Sequence, residues 1–502
     1  MDIKLKTLLL YPSDGELNKK YSYPKISLGI ATLIGFLNSN GYKNIKNIYF
    51  DKKSPYYFRL VKRLANLLGI RGYLLKLYHK FYPESENYKI TQSPLKGIKE
   101  IIEYDCNTKV DSESEMDFSI RSLINKEQPD LVGFSIMSHG HLYNAFHIAK
   151  IIKSFNRKIA IVFGGPIITK NISYFLNNKL LTKIVDYFVV GHGEEPLFKL
   201  IKTLESLKDF DSVPNLYYKT DRGYKRSKRS FESGIEYLKV IPYFDESILK
   251  DYACDSLPLR VSLGCYWGKC AFCTYRLMNK GYVILDPDDI LKIMKTLIKK
   301  HNIRSFSFLD DSFSPIFLKR FSEKVIKENL KISWSTLACL DRAFTDPSIP
   351  RLLRKAGCKY VRFGLESFSP RVLELMRKMQ KPDYIPEIVK FFKKAGLKGE
   401  FTAMFGFPTE TRQEAMETLS FLNNNKRFFH PIVQEFVLEE NTIVYDKPDK
   451  FGIKKIYKDN KMSGARGGFK YDVKEGMSQE EAKLFTMHAR EVLKGRRGIT
   501  DI

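Results

Sequence analysis

The sequence lacks any apolar run near the ~20 residues that a bilayer-crossing helix needs, and its start, MDIKLKTLLLYPSDGE, reads as a strand ending in a turn, not as an export signal. The expectation is a soluble, cytoplasmic protein without a membrane span. Cysteine is scarce and odd in number, seven in 502 residues, which argues against a disulfide framework and for reduced thiols. Acidic residues are in deficit: 57 Asp and Glu face 84 Lys and Arg, a formal charge of +27. That excess attracts anionic partners at long range. It is gathered in no single basic block, so nucleic acid remains a possible partner but not a favoured one. Apolar surface, by contrast, is plentiful. Hydrophobic residues make up 43% of the chain, with 36 Phe and 29 Tyr, so the chain folds, in at least two domains.

Apolar runs at 5–11, 45–50, 130–136, 158–164 and 185–190 predict buried strands. Between them, 27–42 and 141–155 carry apolar residues three and four apart, as amphipathic helices do. This alternation predicts a doubly wound parallel sheet over 1–206. Residues 53–128 read as an insertion with a helix near 57–78. Residues 207–258 read as a linker, holding a hairpin at 215–227 turned by Asp221-Arg222-Gly223. A second alternation follows, with strands at 259–263, 304–310, 331–337, 360–366, 398–406 and 433–439. Six strand–helix repeats at ~30-residue spacing predict a partial (β/α)6 barrel over 259–440, with its chemistry at the C-terminal strand ends. The fold class is therefore α/β, two parallel-sheet domains followed by a small helical tail at 441–502. In that tail Ser478 and Glu481 form a capping box, and Leu484, Met487, Ala489 and Val492 are the face expected to pack on the barrel.

Cys265, Cys270 and Cys273 crowd into nine residues directly after the first barrel strand, in a turn that Gly264 and Gly268 make tight. Iron–sulfur clusters usually take four cysteines. Three with no obvious fourth would leave one iron open for a substrate or cosubstrate. A zinc site also uses short Cys-x2-Cys spacing but normally wants a second pair. The remaining thiols give none: Cys254 falls in the linker, and Cys339 and Cys358 read as buried core cysteines.

The stretch SLGCYWGKCAFCTYR resembles the cluster loop of the radical S-adenosylmethionine (SAM) superfamily, including the aromatic residue, Phe272, before the third cysteine. FLDDSFSP (308–315), FGLESFSPRVLELMRK (363–378) and FTAMFGFPTET (401–411) are similar, in order and spacing, to segments at successive strand ends of that family. The likeness covers about residues 258–440. One departure is plain, since four residues, Tyr266 to Lys269, separate the first two cysteines where the family has three. The resemblance implies a [4Fe-4S] cluster held by Cys265, Cys270 and Cys273, whose open iron chelates S-adenosylmethionine. It further implies reductive cleavage to a 5′-deoxyadenosyl radical and a reducing partner such as flavodoxin or ferredoxin. Glu366 is then a candidate for a ribose hydroxyl or the methionine amino group. Asp310, Asp311 and Ser312 are candidates for the amino group, and Phe272 and Gly406 complete the expected cofactor-binding set.

In an open parallel sheet ligands sit beyond the carboxyl ends of the strands. Here those ends carry Tyr11-Pro12-Ser13, Ser135 to His139, Gly164-Gly165-Pro166 and Gly191-His192-Gly193-Glu194. The GGP and GHGEEPL segments make residues 3–205 resemble the cobalamin-binding domain of one large subgroup of the superfamily. By that resemblance Ser135, Gly164, Gly165, Pro166, Gly191, Gly193 and Glu194 bind cobalamin. The Asp-x-His-x-x-Gly of domains that ligate cobalt through histidine is absent, with YPSDGE in its place, and His139, His141 and His192 read as helix-start or loop residues. The leading expectation is a cobalamin-dependent C-methyltransferase. The alternatives are a non-methylating radical catalyst of rearrangement or cyclisation, a tRNA methylthiotransferase, whose three further N-terminal cysteines are not matched by Cys106 alone, and a zinc-stabilised nucleic-acid-binding protein.

Overall fold

A computed structural model describes residues 5–12, 26–50, 115–206, 209–230, 234–251, 254–274, 281–458 and 468–494. The helix expected near 57–78 lies outside them. The chain divides into two units, one formed by 1–21, 44–229 and 247–252, the other by 22–43, 230–246 and 253–502.

The first unit is built on β1 (Thr7–Pro12), β2 (Ile45–Phe50), β3 (Leu131–Ser135), β4 (Ala160–Gly164) and β5 (Tyr187–Val189). They pair in parallel in the order 2-1-3-4-5, a doubly wound arrangement. Leu8, Leu10, Leu131, Val132 and Phe163 are buried, as expected where a strand has both faces covered. The helix His139–Phe155 is capped by Ser138, whose Oγ accepts the His141 N–H at 3.2 Å. Asp186 anchors the strand ends, accepting from the Ile161 N–H at 2.8 Å and from Lys153 Nζ at 2.5 Å.

Two boundaries differ from the sequence reading. The hairpin placed in a linker is instead β6 (Leu216–Thr220) and β7 (Gly223–Arg226), which continue the first sheet beyond β5 in antiparallel fashion. The helix Leu28–Ser39, although it follows β1, belongs to the second unit. There the Tyr243 N–H donates to Ala31 O at 2.9 Å, and a Cβ on Gly35 would stand 2.3 Å from Ile241 O.

The second unit carries β8 (Leu257–Leu259), the short pair β9 (Ser262–Leu263) and β10 (Val283–Ile284), then β11 (Ser305–Phe308), β12 (Ser333–Ala338), β13 (Cys358–Glu366), β14 (Lys398–Phe405) and β15 (Phe429–Glu435). The six strands β8 and β11 to β15 form one parallel sheet in sequential order. The predicted first strand, 259–263, is thereby split: β8 joins the sheet, while β9 turns away to pair antiparallel with β10. Helices between the strands start on sequence-coded caps, Asp286, Ser314 and Ser369, each followed by proline at the first helical position. The core is aromatic. Phe308, Phe321 and Trp334 meet edge to face, and Phe363, Phe392, Phe401 and Phe429 form a second group, a geometry that adds to simple area burial.

After β15 come the antiparallel β16 (Ile453–Tyr457) and β17 (Lys470–Val473), then the helix Gln479–Leu493, whose Ser478–Glu481 capping box forms reciprocally. Its buried face is Ala482, Phe485, Thr486 and Ala489, while the expected Leu484 and Met487 face solvent. No helix among the described residues is long and apolar enough to cross a membrane.

Candidate radical SAM and B12 sites

The loop after β9 is fixed by contacts that only its glycines permit. Gly264 has φ +78°, and a Cβ on it would lie 2.0 Å from Gly281 O. Asp310, just past β11, holds the segment before the loop: Oδ1 accepts from the N–H groups of Val261 (2.9 Å) and Ser262 (2.5 Å) and from Ser262 Oγ (2.7 Å). Beyond Cys265 the loop is laced to the end of the helix Pro370–Leu375. The Ala271 N–H donates to Met376 O at 2.9 Å and Trp267 Nε1 to Arg377 O at 2.7 Å. Ala271 is fully buried among Val372, Met376 and Phe407, with Phe272 packed against the same group.

Cys265, Cys270 and Cys273 are in no disulfide, and each is partly buried. A hydrogen bond from Cys339 brings the Cys265 thiol down to about 6, helped by the backbone N–H groups of Gly268 and Trp267 and by the charge of Lys378. Burial pushes the Cys270 thiol up. Among the described residues no three His, Cys, Asp or Glu side chains converge closely enough to hold one metal ion between them.

Lys378 is the cation of this site, and the sequence reading missed it. Burial works against its charge, but Cys270, Glu366, Cys339 and Cys265 surround it with opposing charge and raise its pKa. Its Nζ lies 3.9 Å from Glu366 Oε1. Glu366 ends β13 in a register shift with φ +63°, the kind of bulge that re-aims a side chain, and Gln380 Nε2 braces it by donating to Gly364 O (3.0 Å) and Leu365 O (2.8 Å). Burial raises the Glu366 carboxyl, with Lys378 and Thr402 opposing.

The other candidates separate. Asp311 is raised to about 7 by burial and then by the charges of Cys265 and Asp310. Asp310 spends its Oδ1 on the loop backbone and is raised to about 6 by burial. Ser312 Oγ donates to Cys339 Sγ at 3.0 Å. Gly406 has a packing reason to be glycine, with φ +79° and a hypothetical Cβ 2.1 Å from Ala482 Cβ. Cys339, read as a core cysteine, is indeed buried, directly after the end of β12. The rule that picked out Asp310, residues at C-terminal strand ends, also points to Cys339. Lys378 carries no comparable signal, because it lies well past its strand.

In the first unit Ser135, Gly164, Gly165 and Pro166, and Gly191, Gly193 and Glu194, occupy the carboxyl ends of β3, β4 and β5 as expected. Thr169 ties two of these ends, its Oγ1 accepting the Gly191 N–H at 2.9 Å and donating to Gly165 O at 3.0 Å. Gly165 is demanded by the fold, with φ +104° and a hypothetical Cβ 2.6 Å from Ile136 O. Gly164 is not, since a Cβ there meets only ordinary contact with Val189, at 3.6 Å. Packing therefore does not require glycine at this strand end, where the sequence places the corrin. Glu194 is buried at the start of its helix. His141 is fully buried, its ring edge-on to Tyr11 with centroids 4.6 Å apart, and its Nδ1 accepts the Met137 N–H at 3.3 Å.

Two family models match the sequence: the radical SAM superfamily over 259–422 and the B12 binding domain over 96–201. The chain thus carries a radical SAM domain and a B12-binding domain. The two domains imply a [4Fe-4S] cluster, S-adenosylmethionine and cobalamin. The chain is 29% identical over 311 residues to an uncharacterized methyltransferase of Pyrococcus horikoshii, covering 60% of this chain and 66% of that one. It is 25% identical over 336 residues to an anaerobic magnesium-protoporphyrin IX monomethyl ester cyclase of Rubrivivax gelatinosus, covering 64% and 58%. It thus spans less than two thirds of the length of these relatives. Its fold is similar to that of the cobalamin-dependent S-adenosylmethionine radical enzyme OxsB, with a TM-score of 0.67 and 16% identity over 96% of this chain and 66% of that one. It is also similar to the radical S-adenosylmethionine methyltransferase TsrM from Kitasatospora setae, with a TM-score of 0.61 and 14% identity over 96% and 83%.

Proposed function

We propose that this chain cleaves S-adenosylmethionine reductively and transfers a methyl group to a carbon atom with the help of cobalamin. The observation that carries the reading is the Cys265 loop: three cysteines in no disulfide within one turn, tied through Ala271 and Trp267 to the segment that leads into the buried Lys378. When bound, the cluster supplies an electron to the sulfonium and cobalamin carries the methyl group. Cys265, Cys270 and Cys273 hold the cluster. Asp310 sets the entry of their loop, and Trp267 and Ala271 fasten its exit to Met376 and Arg377. Glu366, braced by Gln380, and Asp311 offer carboxyl groups to the amino and ribose hydroxyl groups of S-adenosylmethionine. Lys378 offsets the negative charge of the thiolates, which costs less than leaving them unpaired in a buried site. Gly164 and Gly191 leave the strand-end surface of the first unit open to the corrin. A low-potential one-electron donor such as flavodoxin or ferredoxin supplies the reducing equivalent, and the cytoplasm is where reduced thiols and such donors coexist.

The test is anaerobic turnover of reconstituted, cobalamin-loaded protein with S-adenosylmethionine and a reductant, followed by product analysis. The expected result is both 5′-deoxyadenosine and S-adenosylhomocysteine, lost together when the three cysteines are replaced by alanine. 5′-Deoxyadenosine alone would replace methyl transfer with a non-methylating radical reaction. Neither product, from protein holding four irons, would overturn the proposal. The methylthiotransferase and zinc-stabilised nucleic-acid-binding readings are not favoured.

A further inference from the structure

A pocket of about 520 Å³ opens beside the cysteine loop, lined by Trp267, Gly268 and Lys269 from the loop and by Glu374, Arg377 and Lys378 from the segment after β13. Three of the four residues that separate Cys265 from Cys270 thus form part of its wall, so the extra length of this loop goes into a surface feature. The indole is held in place. Trp267 Nε1 donates to Arg377 O at 2.7 Å, and Lys269 Nζ stands over the ring, 4.9 Å from its centroid. Charge is one-sided here, with Lys269, Arg377 and Lys378 set against Glu374. Lys269, Glu374 and Arg377 are exposed, whereas the Lys378 side chain is only 8% exposed, with its Nζ 3.9 Å from Glu366 Oε1. The pocket therefore joins cations in contact with water to the buried cation of the cluster site.

The rim decides what kind of occupant this pocket suits. Small-molecule sites are enclosed and mostly apolar, but here the rim is exposed and charged. Proteins that exchange electrons meet over small, transient contacts, below about 1,200 Å² in total, and complementary charge sets how fast they meet. The formal charge of +27 makes much of this protein attractive to an acidic partner. This pocket differs from the rest of that surface in its place on the chain: Trp267, Gly268 and Lys269 each lie within two residues of a cysteine proposed as a ligand. Electron transfer slows steeply with distance, so a donor is most effective where the surface comes nearest the cluster. We propose that this pocket is the docking site of an acidic one-electron donor protein, with Lys269 and Arg377 as the cations that receive it. The inference rests on the cluster reading given under the proposed function. In the step itself the donor loses one electron, the cluster gains it, and no bond forms or breaks.

The experiment follows reduction of the cluster in the anaerobically reconstituted full chain by stopped-flow absorbance. The reductants are dithionite, which is small and needs no docking surface, photoreduced flavodoxin and photoreduced ferredoxin. Lys269→Glu reverses one charge of the pocket. Arg377→Asn removes another, keeps the carbonyl that Trp267 uses and suits the φ of +54° there. Lys390→Glu, at an exposed position of the helix Ile385–Lys394 outside the pocket, changes the net charge as Lys269→Glu does. The expected result is equal reduction of all four proteins by dithionite. With at least one protein donor, the wild type and Lys390→Glu should be reduced at matching rates that fall as salt rises from about 50 to 300 mM. Lys269→Glu should be slower by about tenfold, and Arg377→Asn should change in the same direction. Protein-donor rates unchanged in both pocket variants, or insensitive to salt, overturn the inference. An equal fall in Lys390→Glu also overturns it, by reducing the effect to overall charge. So does a wild type that dithionite reduces and neither protein does. Loss of dithionite reduction in both pocket variants overturns it too, because these residues would then hold the cluster and not the donor. If dithionite reduces no cluster even in the wild type, it is the cluster reading that fails, a result distinct from all of these.

Discussion

At the scale of single residues the site is a problem of buried charge. Asp310, Asp311, Glu366 and Glu410 all have carboxyl groups raised by burial, a pattern that concentrates where polar groups are held for a purpose. Glu410 shows the consequence away from the thiols. Its Oε2 accepts the Gly406 N–H at 2.6 Å and its Oε1 has no hydrogen-bond partner among the described residues, while burial pushes it up to about 8. A folded-state value above the unfolded one means that the folded chain holds the proton longer, so stability falls as pH rises from the ordinary glutamate range toward 8 and then levels off. A tenfold difference in proton affinity between the two states corresponds to ~1.4 kcal/mol. Glu410→Gln keeps an acceptor for Gly406 and removes the ionisation. Denaturant unfolding between pH 5 and 9 should therefore show the variant gaining on the wild type as pH rises, by a few kcal/mol at most. A constant difference across that range would show that Glu410 does not hold its proton. The three cysteines proposed for the cluster were legible as a motif because they fall within nine residues of sequence. Lys378 was not, because it approaches Glu366 only through the helix and turn that follow β13.

At the scale of elements, strands buried on both faces were the most legible, since β3 and β4 are near-continuous apolar runs. The hairpin of β6 and β7 was legible as a hairpin, but its turn chemistry says nothing of the strand it will pair with, and β5 proved to be that partner. The terminal helix was found with its cap correct and its face right only at Ala489. Its buried side also takes in Ala482, Phe485 and Thr486, while Leu484 and Met487, the large apolar side chains expected there, face solvent. The cluster loop offers a prediction at this scale. Gly264→Ala must move the loop away from Gly281 O, which an added Cβ would approach to 2.0 Å, and must also hold alanine at φ +78°. The left-handed conformation alone costs roughly 1–2 kcal/mol. The distortion falls on the segment that carries Cys265, so the variant should lose most of its iron on reconstitution while its far-UV circular dichroism stays that of the wild type. Full iron content would show that the loop geometry is not what holds the cluster.

At the scale of the whole molecule the two sites proposed for the cofactors fall in separate parallel-sheet units, each at C-terminal strand ends, because that is where such sheets leave loops free. The sequence exposed this plan through its two runs of alternating strands and helices. The return of residues 22–43 to the second unit was hidden, because nothing local marks which body an amphipathic helix will join. If the two sites are chemically distinct, substitutions should separate them. Gly164 ends β4 without a positive φ, and a Cβ there meets Val189 O at an unstrained 3.6 Å, so the backbone tolerates a side chain. Gly164→Leu should then leave the fold and the iron content intact while filling the surface proposed for the corrin. Equilibrium dialysis against hydroxocobalamin, with iron measured on the same protein, should show cobalamin lost and four irons kept. The triple Cys265, Cys270 and Cys273→Ala variant should show the reverse. Undiminished cobalamin binding by Gly164→Leu would remove the strand-end surface of the first unit as the corrin site, because no side chain of that size fits beneath a macrocycle lying against Gly164.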